Sequence, residues 1–125
     1  MADTTLFDLA ERRLSWLDKR QGLLAQNIAN ADTPNYRAHD LAPFADQLDR
    51  AQFAISPTRT SPLHMVGTES DSAAMLDAPG ERSISGNEVQ LDSQLTKVAD
   101  TDANQELVSD LYKKYLGLYR TALGR

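Results

Sequence analysis

The sequence of 125 residues contains no cysteine, which excludes disulfide bonds, thiolate metal sites and a cysteine nucleophile. Aromatic residues make up only 6% of the chain. Leu, Ile, Val and Phe together account for about 22%, close to the roughly 20% below which chains tend towards disorder. Alanine, with 16 copies, favours helix but contributes little buried area. The composition therefore indicates helices that complete their burial against partners.

The chain also lacks a basic block and a long apolar run. Its 13 basic and 18 acidic residues give a formal charge of -5, so we expect no nucleic-acid partner. No apolar run approaches the roughly 18 residues of a membrane span. Residues 1–10 show neither a positive segment nor a long apolar stretch, so we expect no cleaved secretory signal.

Catalytic and metal-binding patterns are missing as well. The two histidines, His39 and His64, are 25 residues apart, and neither has a second ligand type at helical spacing. The sequence contains no nucleophile elbow, phosphate-binding loop or zinc-protease helix. We therefore expect no enzymatic activity, no catalytic or metal-binding residue, no cofactor and no small-molecule substrate.

A long N-terminal helix is predicted by eight positions, seven of them apolar, that alternate spacings of three and four. The positions are Phe7, Ala10, Leu14, Leu17, Gln21, Leu24, Ile28 and Ala31. Thr5 and Asp8 predict a capping box at its start, and Thr33-Pro34 predicts its end. A second row, Leu9, Trp16 and Leu23, repeats every seven residues on another side. One partner helix cannot cover both rows.

The rest of the chain divides into a short helix, an arm and a final helix. Asp40 is a candidate cap for a helix that reaches Ile55, with Pro43 in its first turn. Residues 56–86 include six Ser, three Thr, three Gly and three Pro, which predicts an extended arm, with a short hairpin left open. Asp92 is a candidate cap for a helix to Ala122. The predicted segments are thus 1–36, 37–55, 56–91 and 92–125.

The final helix also carries two apolar rows in its second half. One contains Val108, Leu111, Tyr115, Leu118 and Ala122, and the other Tyr112, Leu116, Tyr119 and Leu123. Earlier in the helix, Thr101 and Gln105 interrupt the stripe, which predicts a shift of register there. We predict an all-α domain in which the long terminal helices pair as an antiparallel, coiled-coil-like hairpin, with the short helix and the extended arm between them.

The most specific stretch is Asn27-Ile28-Ala29-Asn30-Ala31-Asp32-Thr33-Pro34-Asn35-Tyr36-Arg37-Ala38. Asn27 and Asn30 share one helix face, and the Thr-Pro-Asn turn then positions Tyr36. The residues alone allow two interpretations. The polar side chains satisfy the end of an ordinary helix, or they form a hydrogen-bonding patch between subunits.

This stretch resembles the signature that follows the first helix in bacterial flagellar rod and hook proteins. Asn35, where many of them carry glycine, and the following Tyr36-Arg37-Ala38 resemble the proximal rod proteins in particular, as does the turn from Gly86 to Asp92. The resemblance implies export by the flagellar type III apparatus without a cleaved signal, and assembly into the periplasmic rod of the basal body. A rod subunit transmits torque through helix packing.

The resemblance also implies partners, namely other copies of the chain, other rod proteins, the membrane-ring and export-gate base, and a rod adaptor protein. The extra apolar rows and the signature turn are then the expected subunit interface. Its residues are Leu9, Trp16, Leu23, Asn27, Asn30, Thr33, Pro34, Asn35, Tyr36, Leu111, Tyr112, Tyr115, Leu116, Leu118 and Tyr119. The alternative is a self-contained three-helix binding module that buries the second rows against the segment from Leu41 to Ile55.

Overall fold

The computed structural model describes residues 5–52, 61, 75–78 and 80–124. Its elements in chain order are α1 (Leu6–Ala29), β1 (His39–Leu41), α2 (Phe44–Gln52), β2 (Met75–Asp77) and α3 (Leu91–Ala122). The predicted fold class is confirmed, because two long terminal helices are in contact and a short helix lies between them in the chain. Much of the predicted arm, including His64, and the predicted end of the short helix at Ile55 lie outside the described residues.

The start of α1 confirms the predicted capping box. The Asp8 amide donates to Thr5 Oγ1 at 3.2 Å, and the Thr5 amide donates to Asp8 Oδ2 at 3.3 Å. These two bonds satisfy amides that a helix start would otherwise leave unpaired. The helix ends at Ala29, several residues before the predicted end at Thr33-Pro34. Asn30 is the C-cap, and its amide donates to Gln26 O and Asn27 O at 3.2 Å each.

The two long helices run antiparallel. Near the start of α1, the Phe7 ring lies edge-on to Tyr112 and Tyr119, with centroids 5.3 and 5.7 Å away. Near the end of α1, the Asn27 amide nitrogen donates to Gln94 Oε1 at 3.0 Å. Early residues of α1 thus meet late residues of α3, and late residues of α1 meet early ones. The first predicted row of α1 supplies the core of this hairpin, since Leu17 and Leu24 are almost completely buried.

The second row of α1 is covered by the chain itself. Trp16 is 6% exposed and Leu23 is 9% exposed. The indole Nε1 of Trp16 donates to Ala42 O at 3.0 Å, and its ring lies 6.1 Å from that of Phe44. Because residues leading into α2 cross this side of α1, we leave Trp16 and Leu23 out of the interface proposed below.

The sequence indicated Asp40 as the cap of the short helix, and this prediction is wrong. Asp40 lies in β1, which pairs antiparallel with β2 so that His39 faces Asp77 and Leu41 faces Met75. The helix instead begins at Phe44, and the Pro43 carbonyl accepts from the amides of residues 46 and 47. Ion pairs with two helices hold the Asp40 carboxylate away from the helix start.

The beginning of α3 also differs from the prediction. Its N-cap position is Gln90, whose side chain makes no capping hydrogen bond, and Asp92 lies within the first turn. Gln94 and Thr101 are buried against α1, whereas Leu91 and Leu95 are about half exposed. Polar residues therefore occupy the seam between the long helices in the first half of α3.

The Asp40 carboxylate joins three elements of the fold. Arg20 of α1 donates to both its oxygens at 3.0 Å, and Lys97 of α3 lies 3.0 Å from Oδ2. Burial by itself raises the pKa of this carboxyl, but hydrogen bonds from Arg20, Lys97 and the Leu41 amide, together with the charge of Arg20, hold the pKa below its ordinary value of 3.8. The ionised form therefore stabilises the folded state.

Replacing Asp40 with Asn should lower the free energy of unfolding at pH 7 by about 2 kcal/mol, because the hydrogen bonds lost involve charged groups. A folded-state pKa below the unfolded value means that this stabilisation is complete above about pH 3.8 and is lost as the pH falls through the folded-state pKa. Urea unfolding followed by helical circular dichroism at several pH values measures the difference. Asp110→Asn is the control, since Asp110 is mostly exposed and should change stability little. A gap between Asp40→Asn and the native chain that persists unchanged to pH 2 would contradict this account.

Candidate assembly surface

The signature stretch forms a hydrogen-bonded clasp around Asn27. Its side chain is completely buried. The amide nitrogen donates to His39 O at 2.6 Å and to Gln94 Oε1 at 3.0 Å, while the amide oxygen accepts from the His39 amide at 3.1 Å. The Tyr36 hydroxyl lies 3.5 Å from the same oxygen. One side chain thus connects the end of α1, the start of β1 and the start of α3.

A second buried asparagine, Asn87, holds the turn from the other side. Its amide nitrogen donates to Asn30 O at 2.9 Å and to Thr33 O at 2.7 Å, and its oxygen accepts from the Val89 amide at 2.7 Å. These carbonyls belong to the turns that follow α1 and also accept from the amides of residues 33 and 36, so Asn87 adds a second bond to each. The structure therefore brings together the two stretches, 27–38 and 86–92, on which the resemblance depends.

Backbone conformation explains Asn35 and Gly86. Asn35 has φ +59°, in the left-handed region that asparagine tolerates better than most residues and that glycine adopts freely. Gly86 has φ +80°, and a Cβ added there would collide with Asn35 Oδ1. The Asn35 amide donates to Ser85 O at 3.2 Å. The two turns thus lie directly against each other, and the second turn requires glycine.

The clasp decides part of the question that the signature left open. Asn27 satisfies its side-chain polar atoms inside the subunit. The side-chain nitrogen of Asn30 donates to Gln26 O at 2.8 Å, and its side-chain oxygen accepts from the Thr33 hydroxyl at 3.1 Å. Both asparagines therefore support the end of α1, as the first interpretation had it. Thr33, Pro34 and Asn35 are exposed, and Tyr36 is half-buried. This outer part of the turn is accessible in the single subunit, whereas the Asn27 side chain is not.

A second surface lies on the last four turns of α3. The described residues leave large apolar side chains exposed there: Leu111 by 45%, Tyr115 by 40%, Leu116 by 37%, Leu118 by 56% and Tyr119 by 61%. Tyr112, by contrast, is half-buried and packs on Phe7. An apolar surface of this extent on one helix is typical of a protein interface.

An apolar cavity of ≈ 260 Å³ opens between the two long helices at this end of the hairpin. Side chains of α1, α2 and α3 form its walls, and Arg13 is the one charged residue among them. The lining residues are Leu6, Phe7, Leu9, Ala10, Arg13, Phe44, Val108, Leu111, Tyr112 and Tyr115. Leu9 therefore lies beside part of the exposed α3 surface, and the cavity joins the two.

Sequence reasoning missed Gln94 as a contact of the signature. Its position could have been found by extending the three-and-four spacing of Tyr119, Tyr112 and Val108 towards the start of α3, which leads to Thr101 and Gln94. The prediction followed Leu91 and Leu95 instead, because it sought apolar residues. The contact between α1 and α3 is continuous, but it is polar along the first half of α3.

Within the described ranges, no cluster of three or more His, Asp or Glu residues is arranged to hold a metal ion. None of the helices described has an apolar stretch long enough to cross a membrane. The geometry that stands out is thus a fixed turn and an uncovered helix face.

Comparison with known proteins connects this geometry to a family. A family model described as flagella basal body rod protein matches residues 7–37, which comprise nearly all of α1 and the turn after it. The flagellar basal body rod protein FlgB of Agrobacterium fabrum is 35% identical over 120 residues, covering 92% of this chain and 90% of that protein. The chain belongs to the FlgB family of flagellar basal body rod proteins. The FlgB proteins of Bacillus subtilis and Salmonella typhimurium are 32% and 33% identical, over 91% and 71% of this chain and 90% and 71% of their own lengths.

Membership in the FlgB family gives the clasp its context. The part of the chain that matches the family model ends at Arg37 and includes Asn27, whose partners His39 and Gln94 lie beyond it. The exposed half of α3 lies outside it. The turn is therefore a feature that this chain shares with rod proteins as a class, whereas the similarity to the FlgB proteins extends along most of the chain.

Asn27→Ala should destabilise the subunit strongly, because the amide and carbonyl of His39 and the Gln94 side chain would lose their partner. Each buried polar group left unpaired costs roughly 1–3 kcal/mol. Urea unfolding followed by circular dichroism measures the loss. Asn30→Ala is the matched control, since that half-buried side chain bonds only to neighbours within four residues and should cost less than about 1 kcal/mol. Equal losses in the two variants would show that the clasp does not hold the fold together.

Proposed function

We propose that the chain is a structural, non-enzymatic subunit of the proximal rod of the flagellar basal body. The observation that carries the proposal is the uncovered apolar face of α3 in a chain of the FlgB family. Five side chains of the expected interface lie on this face, each at least 37% exposed in the single subunit. Covering them requires neighbouring molecules. A rod, built from many subunits, supplies such neighbours.

The proposed interface is smaller than the sequence suggested. It consists of the α3 face from Leu111 to Tyr119, with Leu9 and Tyr112 at the adjoining cavity, and the outer part of the signature turn from Thr33 to Tyr36. Trp16, Leu23, Asn27 and Asn30 act inside the subunit, where they fix the segment that carries the turn. Two different patches on one subunit favour heterologous, non-closing association, the mode that builds tubes.

Torque transmission needs only this kind of packing. Fully burying an exposed leucine contributes about 1.5–3 kcal/mol. The side chains proposed here are already partly buried, so each would contribute part of that, and several per subunit would resist shear without any chemical step. We place the chain in the periplasmic rod, exported by the flagellar type III apparatus without a cleaved signal. Its partners would be further copies, other rod proteins, the rod adaptor protein and the membrane-ring and export-gate base. The family relationship is the support for this placement.

Leu118→Asp tests the proposed interface. Leu118 is 56% exposed in the subunit, so the isolated variant should unfold like the native chain. In an assembled rod the same change would remove a buried leucine and place a carboxylate in an apolar seam, at a cost of roughly 2–5 kcal/mol or more. We expect cells that export the variant but have no rod and do not swim. Secretion assays measure export, micrographs of basal bodies show whether a rod forms, and motility assays measure swimming.

Lys114→Ala is the control for this experiment, because Lys114 is exposed and outside both apolar rows. It should leave swimming nearly unchanged. Normal swimming of the Leu118→Asp strain would overturn the interface. Retention of the variant inside the cell, with normal folding, would show instead that α3 acts in export before it acts in assembly.

A further inference from the structure

Arg13 occupies an unusual place in the apolar cavity between α1 and α3. Its guanidinium carbon lies 4.7 Å from the centre of the Trp16 ring and 5.0 Å from the centre of the Phe44 ring. Two aromatic rings thus hold the head group in one position on the cavity wall. The side chain is half-buried, and it lines the cavity.

The charge of Arg13 lacks a carboxylate partner among the described residues, whose ion pairs involve other cations. Arg20, about two turns further along α1, does have such a partner, because it donates to both oxygens of Asp40. Partial burial and the nearby charge of Arg20 both lower the pKa of the Arg13 guanidinium. An arginine nevertheless remains charged at neutral pH. The cavity therefore presents a fixed positive charge that an incoming carboxylate would stabilise.

The shape of the cavity specifies what kind of group fits. Its lining comes mostly from the two antiparallel helices, with Phe44 of α2 as a further wall, so the cavity is a groove between helices. Leu6 and Leu111 on its edges are about half exposed. Grooves of this kind accept the apolar face of an amphipathic helix, with anchoring side chains three or four residues apart. A charged residue next to the anchors of the bound helix would lie at the rim of the groove.

We propose that this groove binds an amphipathic helix of a rod protein other than a second copy of this chain, with apolar anchors in the cavity and an Asp or Glu side chain against Arg13. The inference rests on the proposed function and deepens it, because it gives the chemistry of one partner. Charge complementarity selects the occupant, since a basic helix would bring a second cation to a site where Arg20 already repels Arg13.

Two synthetic helical peptides of about five turns serve as probes. They share one apolar face and differ only in carrying Glu or Lys beside the anchors. Fluorescence anisotropy with the full chain at low ionic strength gives their affinities. We expect the Glu peptide to bind about tenfold more tightly than the Lys peptide, in line with one close charge pair. Arg13→Glu should reverse this order, and Arg13→Gln should abolish the difference.

Arg12→Glu is the matched control, because it makes the same charge change one residue away on an exposed side chain that does not line the groove. It should keep the preference for the Glu peptide. Ala10→Leu fills the groove and should weaken the binding of both peptides at least tenfold while leaving the helical circular dichroism intact. Equal affinities of the two peptides for the native chain, or unchanged binding to Ala10→Leu, would overturn the proposal.

Self-association is the remaining outcome to distinguish. If sedimentation shows that the native chain forms oligomers that Ala10→Leu abolishes, a second copy occupies the groove and the proposed partner is wrong. The peptide results can be told apart from the test of the proposed rod function. A Leu118→Asp strain without rods, combined with equal peptide affinities, would retain the rod subunit and reject the acidic helix.

Discussion

The buried side chain of Asn27 is the constraint on which the arrangement of the subunit depends. It pairs with both backbone groups of His39 and with Gln94, at distances of 2.6 to 3.1 Å. The Asn27 side chain is completely buried and its bond to Gln94 is buried as well, so the end of α1, the start of β1 and the start of α3 keep one relative position. Asn87 adds the carbonyls of residues 30 and 33 to the same network. The side-chain amides of two buried asparagines thus hold the signature turn in place.

The two halves of the helix hairpin have different chemistry. Towards the clasp, polar contacts fix the alignment of the helices, since Gln94 meets Asn27, Lys97 meets Asp40 and Asp102 meets Gln21. Directional bonds of this kind specify one register, whereas apolar contacts tolerate several. Towards the other end, Phe7 packs on two tyrosines, and the surface beyond remains open. One half therefore fixes the register of the helices, and the other leaves apolar side chains exposed, which is why we propose it as the interface.

This division suits a subunit of a large assembly. A chain with few strongly apolar residues cannot cover both its core and a complete outer face, and here the core takes Trp16, Leu17, Leu23 and Leu24 of α1. The apolar residues at the end of α3 remain 37–61% exposed in the single subunit. The proposed interface would bury them further, whereas the subunit itself is held by its apolar core and its satisfied polar groups. The FlgB relatives match the chain over both halves.

The sequence by itself determined the long helices, the Thr5–Asp8 capping box, the antiparallel fold class and the family, because these depend on local spacing or on one contiguous motif. It did not determine the partner of each face. Trp16 and Leu23 formed a clear row, but periodicity states which residues share a side of a helix and not which segment covers it. Asp40 had the pattern of a cap, and only the approach of Arg20 and Lys97 made it a link between helices. The Asn27–Gln94 bond joins residues 67 positions apart. Its existence depends on the register of two helices, which is a property of the folded chain and not of either sequence segment alone.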